Sequence, residues 1–284
     1  MSIKPGHILA ASRLLIFVLI LVVAAPLLLI GERLNNEERR LGIVRRLMVL
    51  VRWMTGVHVV VHGRPVKKHP VLYVANHLSY LDIPILGSVI KASFISRNDV
   101  GSWPVIGWLA KHQRTIFTTR KKEDAVKEAK EIRSRLEAGD RLLMFPEGTS
   151  SDGQHLLPFK STFFAVASPI KMPDGTEKQI TVQPITMVLT EMGSLPIGRH
   201  QRPLYTWYGD MDFAPHFWEM LQQASFTVEI QFHKPVTMED FGGSRKNLAH
   251  YCEAVIAHGL SEGLAGRDMG TLPPELVYPD AELA

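Results

Sequence analysis

Residues 14–31, LLIFVLILVVAAPLLLIG, form an uncharged apolar run near the start of the chain. A run of about 18 such residues approaches the length that an α-helix needs to cross the hydrocarbon core of a bilayer. It could cross the membrane as one helix or insert as a hairpin bent at Pro26. A cleaved signal peptide fits less well, because the following GERLNNEERR lacks a cleavage site of small residues. We therefore expect a retained N-terminal membrane-anchoring helical segment.

The charges on either side of this run predict its orientation. Only Lys4 and Arg13 precede it, whereas six arginines follow it within the next two dozen positions: Arg33, Arg39, Arg40, Arg45, Arg46 and Arg52. Basic residues are enriched on the cytoplasmic side of membrane segments. We expect a membrane protein with a single N-terminal anchor, its remaining chain on the cytoplasmic side, in a bacterial inner membrane.

The segment RRLMVLVRWMTGV, residues 45–57, alternates arginines with apolar side chains and one tryptophan. This pattern is typical of a helix that lies in the headgroup region with an aromatic ring at the interface. A helix that packs on a core and exposes a basic face would show the same pattern, and both interpretations stay open. Residues 1–55 are therefore expected to comprise a membrane anchor and a basic interfacial helix.

Composition narrows the classes of partner and site. The chain has 284 residues, a formal net charge of +4 and one cysteine, Cys252. The basic excess is mild and has no long Lys/Arg block, so a nucleic acid partner is not expected. A single cysteine excludes an internal disulfide and a zinc cluster of thiolates.

After Gly56 the sequence alternates strand and helix patterns. Strands are predicted at 57–63, 71–77, 92–97, 114–120, 141–148, 179–190 and 226–236, the sixth interrupted by Pro184, and helices at 121–138 and 244–264. Such alternation predicts an α/β fold with a mixed, largely parallel central sheet flanked by helices. In these sheets functional groups collect beyond the carboxyl ends of the strands.

Polar residues follow the buried strand in VLYVANHLSYLD, residues 71–82. Pro84 is tolerated in the first turn of a helix, which places Asp82 near the helix start and His77 in the loop before it. The imidazole can then meet Asp82, and a carboxylate that accepts from one ring nitrogen leaves the other available as a base. Alternatively, Asp82 caps the helix and His77 is an ordinary loop residue. The same loop contains Asn76 and Ser79.

Three further elements lie near predicted strand ends. MFPEGTSSDG, residues 144–153, offers backbone and hydroxyl donors to an anion or polar headgroup; its candidate residues are Glu147, Gly148, Thr149 and Ser150. Lys160 lies in an apolar setting, and Arg120 ends RTIFTTR. Each has an ordinary alternative. The MFPEGTSSDG stretch could be only a tight turn, Lys160 could extend its charged end to solvent, and Arg120 could be a solvated residue at a helix start.

In this order, the four blocks resemble those of the glycerolipid acyltransferases of the lysophosphatidate acyltransferase type. NHLSYLD is similar to their NHxxxxD block, RTIFTTR to the second block that ends in arginine, FPEGTS to the third, and VQPIT to the fourth with its proline. The resemblance covers roughly residues 55–240. It implies an acyltransferase domain at residues 56–265 and leaves residues 266–284 as a C-terminal tail. We expect its last stretch, TLPPELVYPDAELA, residues 271–284, to be a loosely packed extension.

This resemblance implies the transfer of a fatty acyl group from an acyl-coenzyme A or acyl carrier protein thioester to the hydroxyl group of a lysolipid at a bilayer. His77 would be the general base and Asp82 would orient it. Arg120, Glu147, Gly148 and Thr149 would hold the polar head of the acceptor, with Lys160 nearby. Asn76, Ser79 and Ser150 would support the turns. The resemblance implies no metal and no bound cofactor.

Lysophosphatidate, which would give phosphatidate, is the default acceptor. The third block of the family often has arginine where this chain has Ser150, and phosphate sites favour guanidinium donors. SRNDVGSWPVIGWLAK and GTSSDGQHLLPFKS are similar to a bacterial subgroup that includes lyso-ornithine lipid acyltransferases, so that acceptor is the alternative. Other classes to weigh are a thioester or ester hydrolase using the same pair, a metal-dependent phosphatase and a non-catalytic lipid-binding anchor.

Overall fold

The computed structural model of the protein describes residues 4–33, 37–67, 69–97, 101, 104–119, 123–171 and 175–276. The helices are α1 Pro5–Arg33, α2 Glu37–Met54, α3 Asp82–Val89, α4 Pro104–His112, α5 Ala125–Glu137, α6 Phe213–Leu221 and α7 Arg245–Leu264. The strands are β1 Val57–His62, β2 Val71–Ala75, β3 Ser93–Arg97, β4 Ile116–Thr118, β5 Arg141–Met144, β6 Ile170–Lys171, β7 Glu177–Lys178, β8 Thr181–Met192, β9 Leu195–Pro196 and β10 Phe226–Phe232. Short 3-10 helices span Ser161–Ala167, Arg199–Leu204, Glu239–Phe241 and Pro274–Leu276.

An eight-stranded sheet with the order β1-β10-β8-β2-β5-β3-β4 forms the centre, and β9 pairs with β8. From β8 to β4 all neighbours along this order are parallel, while β10 runs antiparallel to β8 and parallel to β1. This confirms the predicted mixed, largely parallel sheet. Because β2 and β5 are parallel neighbours, with Val74 opposite Met144, the loops that follow them lie side by side.

Helices cover both faces of the sheet. On β2, Tyr73 packs into a core shared with α1, α3 and α6, whereas Leu72 and Val74 pack into a second core with α5 and α7. All five residues of β2 are buried, which explains its unbroken apolar sequence. The sheet therefore holds the ends of β2 and β5 rigidly between two cores.

Strand β8 is continuous through Pro184, so the predicted interruption is wrong. The carbonyl oxygen of Pro184 accepts a hydrogen bond from His233 N–H at 3.0 Å, just beyond the end of β10. The nitrogen and carbonyl of one strand residue point to the same side. The missing N–H of Pro184 therefore faces away from β2, and the β2–β8 pairing loses no donor.

Helix α1 continues through Pro26, which corrects the alternative of a hairpin bent at that residue. Its stretch Pro5–Leu29 is long and apolar enough to cross a membrane, by length and composition. The buried guanidinium of Arg13 donates to the backbone carbonyls of Leu221, Gln223 and Ala224, at 2.9, 2.6 and 2.8 Å. The first half of α1 is thus docked on the C-terminal end of α6.

The core-packing interpretation of the basic helix is confirmed for one side of α2, while a position in the headgroup region stays a prediction. Its apolar side packs against α1 and contributes Val44, Leu47 and Met48 to a small core. Its other side exposes apolar surface, including Trp53, which is 66% exposed. The helix is a packed element with an exposed aromatic and basic surface.

Residues 266–276 of the C-terminal tail contact the cores of the domain. Met269 is buried and packs with Val188 and Leu260, and Leu272 and Leu276 pack on the second core. Residues 277–284 lie outside the described part of the chain.

Candidate active site

His77 and Asp82 lie together at the end of β2. Nδ1 of His77 is 2.7 Å from Oδ2 of Asp82. Asp82 is the first residue of α3, as predicted, and the loop between the two residues folds back to bring the imidazole onto the carboxylate. A carboxylate accepts, so the hydrogen bond assigns the proton to Nδ1 and leaves Nε2 as the acceptor nitrogen.

The loop also supplies donors that hold the carboxylate. Oδ2 of Asp82 accepts the backbone N–H groups of Leu78 at 2.6 Å and Ser79 at 3.0 Å. The carboxyl group is fully buried, at 0% side-chain exposure. An ionised carboxylate is stable in such a place only when donors surround it, and here three donors meet one oxygen.

The ring of His77 stacks on Phe145, with centroids 4.1 Å apart and an interplanar angle of 13°. Its side chain is 21% exposed, and its Nε2 forms no hydrogen bond with any described residue. Stacking and the Asp82 bond fix the plane of the ring. The arrangement therefore presents one oriented, accessible nitrogen that can accept a proton.

Glu147 lies beneath the site and joins three loops. Its Oε1 accepts the backbone N–H of His77 at 2.7 Å, and its Oε2 accepts that of Leu157 at 2.8 Å. Burial raises the pKa of Glu147 to about 8, while these two backbone donors act to lower it. Both oxygens thus have protein partners, and the side chain holds the loop that contains His77.

The loop after Glu147 holds the carbonyl group of the same residue, His77. Ser151 donates its backbone N–H and its hydroxyl to the carbonyl oxygen of His77, at 2.8 and 3.2 Å. The Ser150 hydroxyl donates to the Trp207 carbonyl, and Trp207 N–H donates to the carbonyl of Leu78 at 3.0 Å. The two motif loops and the segment around Trp207 are therefore one hydrogen-bonded unit.

Gly148, Thr149 and Lys160 lie at the outer side of this unit. Gly148 has φ of +75°, and a Cβ at its position would be 2.6 Å from Nζ of Lys160. Glycine therefore lets the lysine ammonium approach the turn closely. Lys160 and Thr149 are exposed, which suits groups that would meet a substrate head. Arg120, the other predicted head-binding residue, lies outside the described residues.

Asn76 joins the end of β2 to β8. Its Nδ2 donates to the carbonyl of Met187 at 2.9 Å, and its Oδ1 accepts Met187 N–H at 2.7 Å. The side chain thus imitates a strand partner where the backbone of β2 turns away towards His77. This bridge fixes the point at which the catalytic loop leaves the sheet.

Sequence patterns did not indicate Phe145, Ser151 or Trp207 as parts of the site. Phe145 is the first residue of the FPEGTS block, so its place after a strand parallel to β2 was the available signal. Trp207 follows the 3-10 helix Arg199–Leu204 in a segment without helical or strand periodicity. Only the tertiary fold brings it to the loop.

Comparisons with known proteins identify the family of the chain. The model of the family described as Acyltransferase matches residues 58–188. A lyso-ornithine lipid O-acyltransferase from Brucella abortus (strain 2308) is 38% identical over 203 residues, 70% of this chain and 74% of that protein. One from Rhizobium meliloti (strain 1021) is 32% identical over 254 residues, 89% of this chain and 86% of that protein.

A 1-acyl-sn-glycerol-3-phosphate acyltransferase from Neisseria gonorrhoeae is 31% identical over 173 residues, 60% of this chain and 62% of that protein. The crystal structure of the 1-acyl-sn-glycerophosphate (LPA) acyltransferase PlsC from Thermotoga maritima shares the fold, with a TM-score of 0.66 at 21% identity, over 91% of this chain and 95% of that one. The chain belongs to the acyltransferase family and is an acyltransferase.

Proposed function

We propose that the protein transfers a fatty acyl group from a thioester to the hydroxyl group of a lysolipid, with His77 as the general base. The observation that carries this proposal is the 2.7 Å contact between Nδ1 of His77 and the buried carboxylate of Asp82. It leaves Nε2 as an oriented acceptor on the accessible side. Residues 56–265 would perform the reaction and residues 1–55 would hold it at the membrane.

The reaction follows from this arrangement. Nε2 of His77 removes the proton of the acceptor hydroxyl while the oxygen attacks the thioester carbonyl. The tetrahedral intermediate then expels the thiolate, which takes the proton back from the imidazolium to leave as a thiol. Asp82 stabilises the imidazolium between these steps. General-base catalysis of this kind supplies about 10²–10⁴-fold.

Direct attack needs no acyl-enzyme intermediate. Cys252, the single cysteine of the chain, is buried in α7 within the second core. Burial raises the pKa of this thiol well above its ordinary value. Because the thiolate is the nucleophilic form, this residue is suited to packing and not to catalysis.

Lyso-ornithine lipid is the acceptor that we favour. Relatives named lyso-ornithine lipid O-acyltransferase align with up to 89% of this chain, whereas the 1-acyl-sn-glycerol-3-phosphate acyltransferase from Neisseria gonorrhoeae aligns with 60%. At the position where the resemblance leads one to expect arginine, the Ser150 hydroxyl is buried and donates to a backbone carbonyl. It supplies no cation to a phosphate monoester, which guanidinium groups bind well.

Lysophosphatidate remains the second candidate acceptor. The exposed ammonium of Lys160 lies against the Gly148 turn, where it could pair with a phosphate or with the carboxylate of an amino acid head. A lysophosphatidate headgroup would thus have one positive partner, Lys160, among the described residues of the site.

We also propose that α1 and α2 bind the bilayer. Large apolar side chains of α1 are exposed along the length of the helix, among them Leu15, Val18, Val22 and Leu29. Trp53 extends this apolar surface onto α2. Burial of exposed apolar area and attraction of arginines to anionic lipid both favour the membrane. The arginine distribution supports a domain on the cytoplasmic side, in a bacterial inner membrane.

The test is an acyl-transfer assay in liposomes with labelled acyl-coenzyme A and acyl carrier protein, each offered with lyso-ornithine lipid or lysophosphatidate. We expect transfer to lyso-ornithine lipid with one of the thioesters. Transfer to lysophosphatidate alone would assign the second acceptor. Thioester loss that does not depend on either acceptor would instead indicate a hydrolase and contradict the proposed function.

A further inference from the structure

Three buried polar atoms near the catalytic pair have no hydrogen-bond partner among the described residues. They are Oδ1 of Asp82, Oγ of Ser79 and the phenol oxygen of Tyr205. All three residues are 0% exposed. Buried polar groups are almost always hydrogen-bonded, because an unsatisfied one costs about 1–3 kcal/mol. Such atoms in one region therefore require a common explanation.

Their chemistry is complementary. A carboxylate oxygen only accepts, whereas a serine or tyrosine hydroxyl can donate. Ser79 and Asp82 already form one turn, because Ser79 N–H donates to Oδ2 at 3.0 Å and Asp82 N–H donates to the Ser79 carbonyl at 3.1 Å. One acceptor and one donor of the set thus belong to the same turn.

The segment that carries Tyr205 is tied to that turn, and Tyr205 shares the first core with Leu78 and Leu81. The N–H of Trp207 donates to the Leu78 carbonyl at 3.0 Å, and the Trp207 ring contacts Tyr80 edge-on at 5.8 Å. The Tyr205 ring itself packs edge-on against Phe226 at 5.3 Å. Burial, together with the negative charge of Asp82, raises the pKa of the Tyr205 phenol well above its ordinary value. Tyr205 therefore keeps its proton as a donor facing an anion.

We propose that Tyr205 is a positioning residue for the acyl transfer: its phenol and the Ser79 hydroxyl support Oδ1 of Asp82 through one internal water. This inference rests on the proposed function of the His77–Asp82 pair. Oδ2 is fixed by backbone donors and His77. A donor at Oδ1 completes the support, so that the carboxylate stays oriented when the imidazole becomes cationic.

The first test is Tyr205→Phe, which keeps the ring packing and removes only the hydroxyl. We expect kcat to fall about tenfold, the effect of one lost support to a buried charge, with KM for both substrates unchanged. Tyr251→Phe is the matched control, because it removes a hydroxyl from a buried ring that packs on Phe241 in the second core. An unchanged kcat in folded Tyr205→Phe would overturn the proposal.

A melting-temperature cycle with Asp82→Asn gives a second, activity-independent readout. In Asp82→Asn the amide oxygen takes the place of Oδ2 and still accepts from the same donors. The amide nitrogen then takes the place of Oδ1, where it cannot accept a hydrogen bond. We expect Tyr205→Phe to lower the melting temperature in the protein with Asp82, and distinctly less in Asp82→Asn. Equal losses in both backgrounds would show a merely structural tyrosine and overturn the proposal. Absence of transfer to any lysolipid would refute the function, while this cycle would still decide the role of Tyr205.

Discussion

The backbone N–H of His77 donates a 2.7 Å hydrogen bond to Oε1 of Glu147, which joins the catalytic loop after β2 to the motif loop after β5. The second oxygen of Glu147 holds Leu157. The side chain thus acts as a buried crosslink. We therefore expect the FPEGTS block to support catalysis by fixing His77, in addition to any contact with a substrate.

Replacing Glu147 with glutamine tests this crosslink. The amide nitrogen cannot accept, so one backbone N–H loses its partner, and we expect about 1–3 kcal/mol lower stability. Displacement of His77 should lower kcat at least tenfold. Thermal melting and initial rates measure the two effects. Glu137→Gln changes an exposed side chain and serves as the control. Wild-type rates in Glu147→Gln would show that the crosslink does not position the base.

The pH dependence of stability should reveal the same group. The folded protein holds Glu147 with a pKa of about 8, against 4.5 as its ordinary value. Between these values the unfolded chain binds fewer protons, so stability from this group is complete below pH 4.5 and is lost as the pH rises through 8. Melting temperatures measured from pH 5 to 8.5 should fall more steeply for the wild type than for Glu147→Gln. Parallel curves would contradict the raised pKa.

Asn76→Asp tests the bridge between β2 and β8. The substitution is isosteric, but it places a carboxylate oxygen against the Met187 carbonyl in place of the amide donor. We expect a stability loss of about 1–3 kcal/mol and a decrease in activity. Denaturant unfolding measures the loss, and exposed Asn247→Asp is the control. Equal stability of the two variants would mean that the bridge has no role.

Arg13→Met tests the docking of α1. The change removes a buried cation from three carbonyl acceptors at the end of α6 while keeping an apolar stem. Hydrogen bonds to charged groups contribute about 1.5–3 kcal/mol, so the melting temperature should fall. Arg46→Met, at an exposed position of α2, should change it little. A greater effect of Arg46→Met would contradict the docking of α1 through Arg13.

The sequence predicted those features that depend on local rules. Pro84 and the apolar strand placed the helix start at Asp82, and strand-helix alternation predicted the largely parallel sheet. The contacts of Glu147, by contrast, depend on β2 and β5 being neighbours, which no local pattern specifies. Pro184 broke a propensity rule without disturbing the sheet, because its nitrogen lies beyond the end of β10.

Contacts distant along the chain were harder still to predict. Tyr205 and Trp207 come from an irregular segment after Arg199–Leu204, so neither period nor motif marks them. The buried position of Met269 gave no signal either, because one apolar residue among turn residues has no periodicity. In both cases tertiary packing determined the environment.

The central claim is that Nε2 of His77 activates the lysolipid hydroxyl. The most direct measurement is the initial rate of acyl transfer by His77→Ala in liposomes, compared with His155→Ala. His155 forms a similar pair with Asp152 at 3.0 Å, but its side chain is 72% exposed. We predict a loss of at least about 10²-fold for folded His77→Ala, and a near wild-type rate for His155→Ala. Transfer by folded His77→Ala at the wild-type rate would show that His77 is not the general base.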